Sequence, residues 1–334
     1  MILPASNEVT EEITVPAEWD AQAALWVGWP SHPDLWPGQL EPARKEIARM
    51  VHAVADGQPV KLVAMGRKAC NSAKNLLGSD VELYDLPFGD IWFRDTGPIF
   101  TKCGRALRFR NNGWGGKYIF PHDDTIGNAI ANEAGFEIVY HDYVLEGGAL
   151  EHNGQGIVLT TQQCVLNANR NGWDKDQAQK ILMRDFSAER IVWLTEGLQN
   201  DHTDGHIDNL ARFAGSGVIV CQADWGNDDP NKALFEQAEQ DLRAAGFIVH
   251  TIPSPGLVCD EGGNGVPASH MNFVIANEVV VVPTYDTRSA DEAIGRLADL
   301  FPGRRVIGAP STALLSGGGS FHCITQQEPV RSRL

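Results

Sequence analysis

The sequence predicts an α/β fold built from five copies of one strand-helix-strand unit, and three observations lead there. Five short apolar runs, Val60–Ala64, Ala106–Phe109, Ile157–Thr160, Val218–Cys221 and Val279–Val282, recur roughly 45 to 60 residues apart. Each is followed by an amphipathic stretch and then by a second apolar run. The loops after those second runs hold most of the chemically reactive side chains, always at the same phase of the repeat.

The elements can be justified in chain order. The five starting runs are rich in β-branched and other apolar residues, which suits a buried strand. The clearest helical stretches are Asp174–Asp185, Asn231–Ala245 and Ala290–Leu300; in the last, Ala293, Ile294, Leu297, Ala298 and Leu300 fall on one helical face. Shorter helices are expected over Cys70–Leu77 and Thr125–Ala134, with Gly78, Gly135, Gly246 and Gly303 placed where helices end. The second strands are Val81–Tyr84, Phe136–Val139, Arg190–Trp193, Phe247–His250 and Arg305–Gly308.

Units that cannot bury their own faces must stack on neighbours. Periodicity alone admits either a ring of five units or an open doubly wound sheet. The loops favour the ring. Equivalent positions of units related by rotation converge near the axis, so Asp90–Pro98, Leu145–Gly148, Asp201–Asn209 and the segment around Cys323 can line one pocket, read as a single catalytic domain over 1–334. The fourth loop, Asp260–Phe273, offers only lining.

Composition narrows the function classes. The 334 residues carry a formal charge of −16, which excludes nucleic acid as the default partner and suits a small cation. The six cysteines stand singly, the pattern of a reducing compartment. Met1–Pro16 shows no leader-like apolar segment, and no apolar run approaches the ~20 residues that cross a bilayer. A cytoplasmic protein without membrane attachment is the expectation, and a homodimer is the commonest assembly for such a chain.

Cys323 follows Gly317-Gly318-Gly319, which lets backbone pass close to a bound ligand. A thiolate, a histidine and several carboxylates in one pocket suit attack on a guanidinium carbon. That group is planar, cationic and forked, so a carboxylate grips it in bidentate fashion. Asp95 and Asp208 are assigned to the grip, Cys323 to nucleophilic attack, and His206 to proton transfer with Glu146 orienting its ring. Trp92, Trp114 and Trp29 are candidates to hold a cation or an alkyl chain by their ring faces. Asp204, Gly318, Gly319 and His202 complete the substrate-contact set. No lysine or arginine adjoins Cys323 in sequence to depress its pKa.

Trp92 with Arg94-Asp95-Thr96-Gly97-Pro98, Asn112-Gly113-Trp114-Gly115-Gly116, Glu146-Gly147-Gly148, Thr203 through Asn209, and Gly318 through Gln327 together resemble the agmatine deiminases and the related bacterial-type peptidyl-arginine deiminases. The resemblance spans nearly the whole chain. It implies the fivefold pseudo-symmetric α/β propeller of ββαβ-type repeats found in guanidine-modifying (pentein) enzymes, no metal or cofactor, and hydrolysis of agmatine to N-carbamoylputrescine and ammonia through a thiouronium on Cys323. It also implies His206 and Glu146 as the acid/base pair and Asp95 and Asp208 as the clamp. Two positions depart from the family, one of them His270, which precedes Met271-Asn272-Phe273 where relatives tend to carry a tyrosine. At the other, agmatine-specific members carry an acid four residues before His206, where this chain has His202, which leaves free or peptidyl arginine or another guanidinoalkane open as substrate.

A metal hydrolase built on His202, Asp204, His206 and Asp208 is the rival reading. The i, i+4 spacing of the two histidines fits a helical zinc motif, but Gly205 and the missing glutamate of H-E-x-x-H speak against it.

Overall fold

The computed structural model describes residues 14–226, 229–285 and 287–332, so the leader reading of the N-terminus falls almost wholly outside the described residues. Four sheets share one plan: an N-terminal strand antiparallel to a middle strand, which in turn pairs in parallel with a strand reached through a helix. Their middle strands are Arg105–Arg110, Ile157–Thr161, Val218–Ala223 and Val279–Thr284, and the helices that lead back to the sheet are Ile126–Glu133, Lys175–Asp185, Lys232–Ala244 and Ala290–Leu300.

The first sheet has four strands. Gln22–Gly28 lies between the chain's last strand, Thr325–Pro329, running antiparallel with Leu25 opposite Gln327, and Val60–Ala64, running parallel. Glu82–Asp85 completes it, reached through the helix Gly66–Leu77. The two ends of the described chain therefore meet in one sheet.

Local chemistry accounts for these elements. Val279, Val280, Val281 and Val282 are buried on both faces, as a central strand of β-branched residues should be. Lys175–Asp185 starts at a capping box in which the Asp174 side chain accepts from the Gln177 backbone and the Gln177 side chain accepts from the Asp174 backbone. Gly78, Gly135 and Gly246 take positive φ just past their helices; Gly303, after Pro302, does not. The expected strand-helix-strand units omit Gln22–Gly28 with its helix Leu40–Ala55, and the antiparallel N-terminal strands. Two of those, Ile99–Phe100 and Val274–Ile275, are only two residues long and too short to show any period.

Among the described residues all six cysteines are free thiols, and no helix is long and apolar enough to cross a membrane. In each of these five sheets the segment that leaves the last parallel strand travels to the next antiparallel strand, and the fourth such segment carries a small two-stranded sheet of its own, Val258–Cys259 with Gly265–Val266. Those five connecting segments build the site.

Candidate active site

The first segment places Asp95 on a single helical turn, Phe93–Thr96, which Gly97-Pro98 terminates because proline cannot continue a helix. Arg94 does not pair with Asp95. Its backbone N–H donates to the Cys323 carbonyl (3.0 Å) and its Nη1 to Gln327 Oε1 (2.7 Å), so the turn carrying Asp95 is tied to the loop carrying Cys323. Asp95 Oδ2 accepts from Trp114 Nε1 (2.8 Å) and Oδ1 from the Gly148 backbone (2.9 Å). Trp114 reaches it from a left-handed backbone, φ 53°, between Gly113 and Gly115.

The second and third segments bring Glu146, Gly148, His206 and Asp208. A Cβ on Gly148 would stand 2.6 Å from His206 Nδ1, 2.9 Å from Asp95 Oδ1 and 3.2 Å from Asp208 Oδ2, so three candidate residues converge on a space only glycine leaves open. Glu146 Oε1 accepts from Arg170 Nε at 2.7 Å. His206 is fully buried; neither ring nitrogen has a hydrogen-bond partner among the described residues, and Nδ1 lies 3.7 Å from Asp95 Oδ1. Glu146, Cys164 and His206 each offer a donor atom within 4.8 Å of the others.

Cys323 comes from the fifth segment and Asn272 from the fourth. Asn272 Nδ2 is 3.1 Å from Cys323 Sγ, and its Oδ1 accepts from the backbone N–H groups of His322 (2.9 Å) and Cys323 (3.2 Å). Asp208 Oδ2 lies 3.8 Å from the sulfur. The fourth loop, expected only to line, thus supplies a side chain that hydrogen-bonds the sulfur. Nothing in its sequence announces this; the role depends on a contact 51 residues away.

A cavity of about 390 Å³ opens onto Cys323 and is lined by Asp95, Trp92, Trp114, Thr203, His202 and Gly318, together with Asp90, Asp34, Tyr118 and Phe120. Gly319 packs between Trp92 and Cys323, where a Cβ would stand 2.7 Å from the indole. His202 Nδ1 is 2.7 Å from the Tyr118 hydroxyl.

Two members of the expected substrate-contact set lie elsewhere. Trp29 is fully buried in the core and its Nε1 donates to Ser72 Oγ, so it presents no face to the cavity. Asp204 is consumed by Lys117 (2.6 Å), Asn169 (3.0 Å) and Arg170 (2.8 Å), where it holds the arginine that holds Glu146. The metal quartet of the rival reading does not gather either: His202 faces Tyr118, Asp204 faces Arg170, and Asp208 faces His322.

The electrostatics follow from burial and charge. Burial raises the Cys323 thiol well above its ordinary value, and Asp208 and Asp95 add to the rise against the opposing effect of Asn272. Burial pulls His206 down, but Asp95, Cys164 and Glu146 outweigh it and leave the imidazole well above its usual range. Burial raises Asp95 and Glu146, the latter despite Arg170. Asp208 is the exception: burial would raise it, yet the hydrogen bond and charge of His322 hold it below the ordinary carboxylate range. A neutral thiol, a protonatable imidazole and an ionised carboxylate in a dry pocket are a set that a bound cation completes.

The chain is similar over nearly its whole length to known proteins. A relative from Shewanella sp. (strain MR-7), provisionally named agmatine deiminase, is 34% identical over 94% of this chain and 94% of its own. The agmatine deiminase of Enterococcus faecalis superposes with a TM-score of 0.90 at 27% identity, covering 96% of both chains. The C. jejuni agmatine deiminase with substrate bound gives 0.89 at 30% identity, covering 95% of this chain and 96% of its own. The model of the Porphyromonas-type peptidyl-arginine deiminases matches residues 14–329, and the chain belongs to that family.

Proposed function

We propose that the protein hydrolyses agmatine to N-carbamoylputrescine and ammonia. Asp95 and Asp208 grip the guanidinium by charge-assisted hydrogen bonds, and Cys323 lies against its face. The bound cation favours the thiolate that burial otherwise disfavours, and the thiol proton passes to solvent as substrate binds. Sulfur attacks the guanidinium carbon, His206 gives a proton to one departing nitrogen, and ammonia leaves a thiouronium on Cys323. Water then adds to that carbon and gives one proton to His206; as the tetrahedral adduct collapses, its hydroxyl proton passes to the departing sulfur, the C–S bond breaks, and the ureido product leaves with the thiol restored. Glu146, held by Arg170, supports the charged form of His206.

The observation that carries the substrate is the charge of the cavity wall. Asp34, Asp90 and Asp95 line it, and among the described residues neither lysine nor arginine does. A dication such as agmatine meets several acids along this wall, whereas the carboxylate of free arginine meets no lysine or arginine among the described lining residues. Asp34 and Asp90 thereby take over the part that an acid at position 202 plays in relatives.

The same reading places the five ββαβ units about one axis as an α/β propeller forming a single catalytic domain. The pairing of Thr325–Pro329 with Gln22–Gly28 and the meeting of all five connecting segments at one site support it. The free thiols suit a reducing cytoplasm.

A panel of agmatine, free arginine, a peptide ending in arginine and shorter guanidinoalkanes, assayed for ammonia and for the ureido product, tests the proposal. Agmatine should give the highest kcat/KM, with Cys323→Ser inert. Preference for a carboxylate-bearing substrate would refute the reading.

A further inference from the structure

Behind Asp208 lies a buried chain of charges that the reaction itself does not use. His322 Nδ1 is 2.8 Å from Asp208 Oδ2, and its Nε2 is 2.9 Å from Glu18 Oε2. Both ring nitrogens thus face carboxylate oxygens, which accept when ionised, and the imidazole is fixed at both ends. Glu18 does more than end the chain. Its Oε2 also accepts from Arg212 Nη2, and its Oε1 accepts from the Ile275 backbone at 2.8 Å. Arg212 in turn donates to Glu151 (2.9 Å) and to the carbonyls of Met271 (3.3 Å) and Phe273 (2.7 Å), the two residues flanking Asn272.

We propose that Glu18 is a positioning residue for the guanidinium clamp, acting through His322 on Asp208 and through Arg212 on the loop that carries Asn272. The inference rests on the deiminase reading. Asp208 Oδ2 is occupied by His322, with Asn272 Nδ2 at 3.4 Å. Its Oδ1 is buried with no partner among the described residues. A buried carboxylate oxygen left unpaired calls for an explanation, and an incoming guanidinium N–H supplies one. His322 thereby decides which oxygen of Asp208 is spent inside the protein and which is kept for substrate. Glu18, Glu151, Asp208, Arg212 and His322 are all buried, so withdrawing one charge leaves its neighbours uncompensated.

The test is a double-mutant cycle in the Cys323→Ser background, reading the dissociation constant of agmatine by calorimetry. His322→Asn should weaken binding about 10- to 100-fold, but about threefold or less once Asp208 is already Asn. Glu18→Gln should weaken it in the same direction, and by less on top of His322→Asn than alone. Equal costs in both backgrounds would mean that His322 merely stabilises the fold, and would overturn the proposal. If His322→Asn does not fold, Glu18→Gln carries the same cycle with Asp208→Asn. A second arm needs no substrate: in spectra of 15N-histidine-labelled protein, the signals that vanish in His322→Asn should be those of a doubly protonated ring and should change in Glu18→Gln. A singly protonated ring in the parent protein would also overturn the proposal. A Cys323→Ser protein that does not bind agmatine at all would count against the deiminase reading instead, with the spectra still deciding the bridge.

Discussion

Asn272 holds Cys323 at two atoms and His322 at a third: its amide nitrogen reaches Cys323 Sγ at 3.1 Å, and its amide oxygen takes the backbone N–H groups of Cys323 and His322. A donor to sulfur favours the thiolate, so Asn272 opposes the burial and the two carboxylates that raise the thiol. Asn272→Ala should lower kcat about 10- to 100-fold, the loss expected for one hydrogen bond to a charged group. The pH profile of Cys323 alkylation by iodoacetamide should move upward at the same time. An unchanged profile would show that the contact has no effect on the sulfur.

Gly148→Ala should cost about 100-fold or more in kcat/KM with little loss of secondary structure. The backbone φ at Gly148 is not positive, so alanine is conformationally permitted. The added methyl would instead press on His206, Asp95 and Asp208 together. Circular dichroism and steady-state kinetics on the same preparation separate the two effects.

Arg170→Met should destabilise the fold by about 3 to 5 kcal/mol in urea, because it strands the buried Glu146 carboxylate. The sign with pH is defined. Burial already raises Glu146 and the arginine lowers it, so removing the arginine raises its folded-state pKa further. A carboxyl raised in the folded state favours folding while protonated and loses that contribution as pH rises through its folded pKa. The deficit should therefore shrink in acid, and Glu146→Gln in the same background should recover part of it.

Asp90, its carboxylate spent on the Ile91 N–H and Trp92 Nε1, is pushed up to about 6 by burial. Above that value it is an anion in the cavity wall; below it the charge is gone. KM for agmatine should accordingly rise as pH falls through about 6, and this inflection should disappear in Asp90→Asn. A KM flat across that range would remove Asp90 from recognition of the cation.

Much of this molecule was legible from the chain because strand and helix periods are local. All five apolar runs taken as strand starts lie in strands, and all five expected helices exist, with Ala290–Leu300 matching at both ends. The phase of the reactive loops was legible for the same reason: a repeat carries its connections to equivalent places, and Asp95, Gly148, His206, Asp208 and Cys323 do assemble. Trp29 and Trp114 illustrate the limit. Composition treats them alike, yet one fills the core and donates to Ser72 while the other turns through a left-handed backbone onto Asp95.

By itself the sequence determined the repeat, the acidic character and the set of side chains able to attack a guanidinium, since each is a property of residue type and spacing along the chain. Only the tertiary structure decided which of them work together. Asn272 lies 51 residues from the sulfur, and Glu18 lies 304 from His322. Contacts of that span leave no trace in local pattern, because the chain between them, and not the residues themselves, brings them within reach.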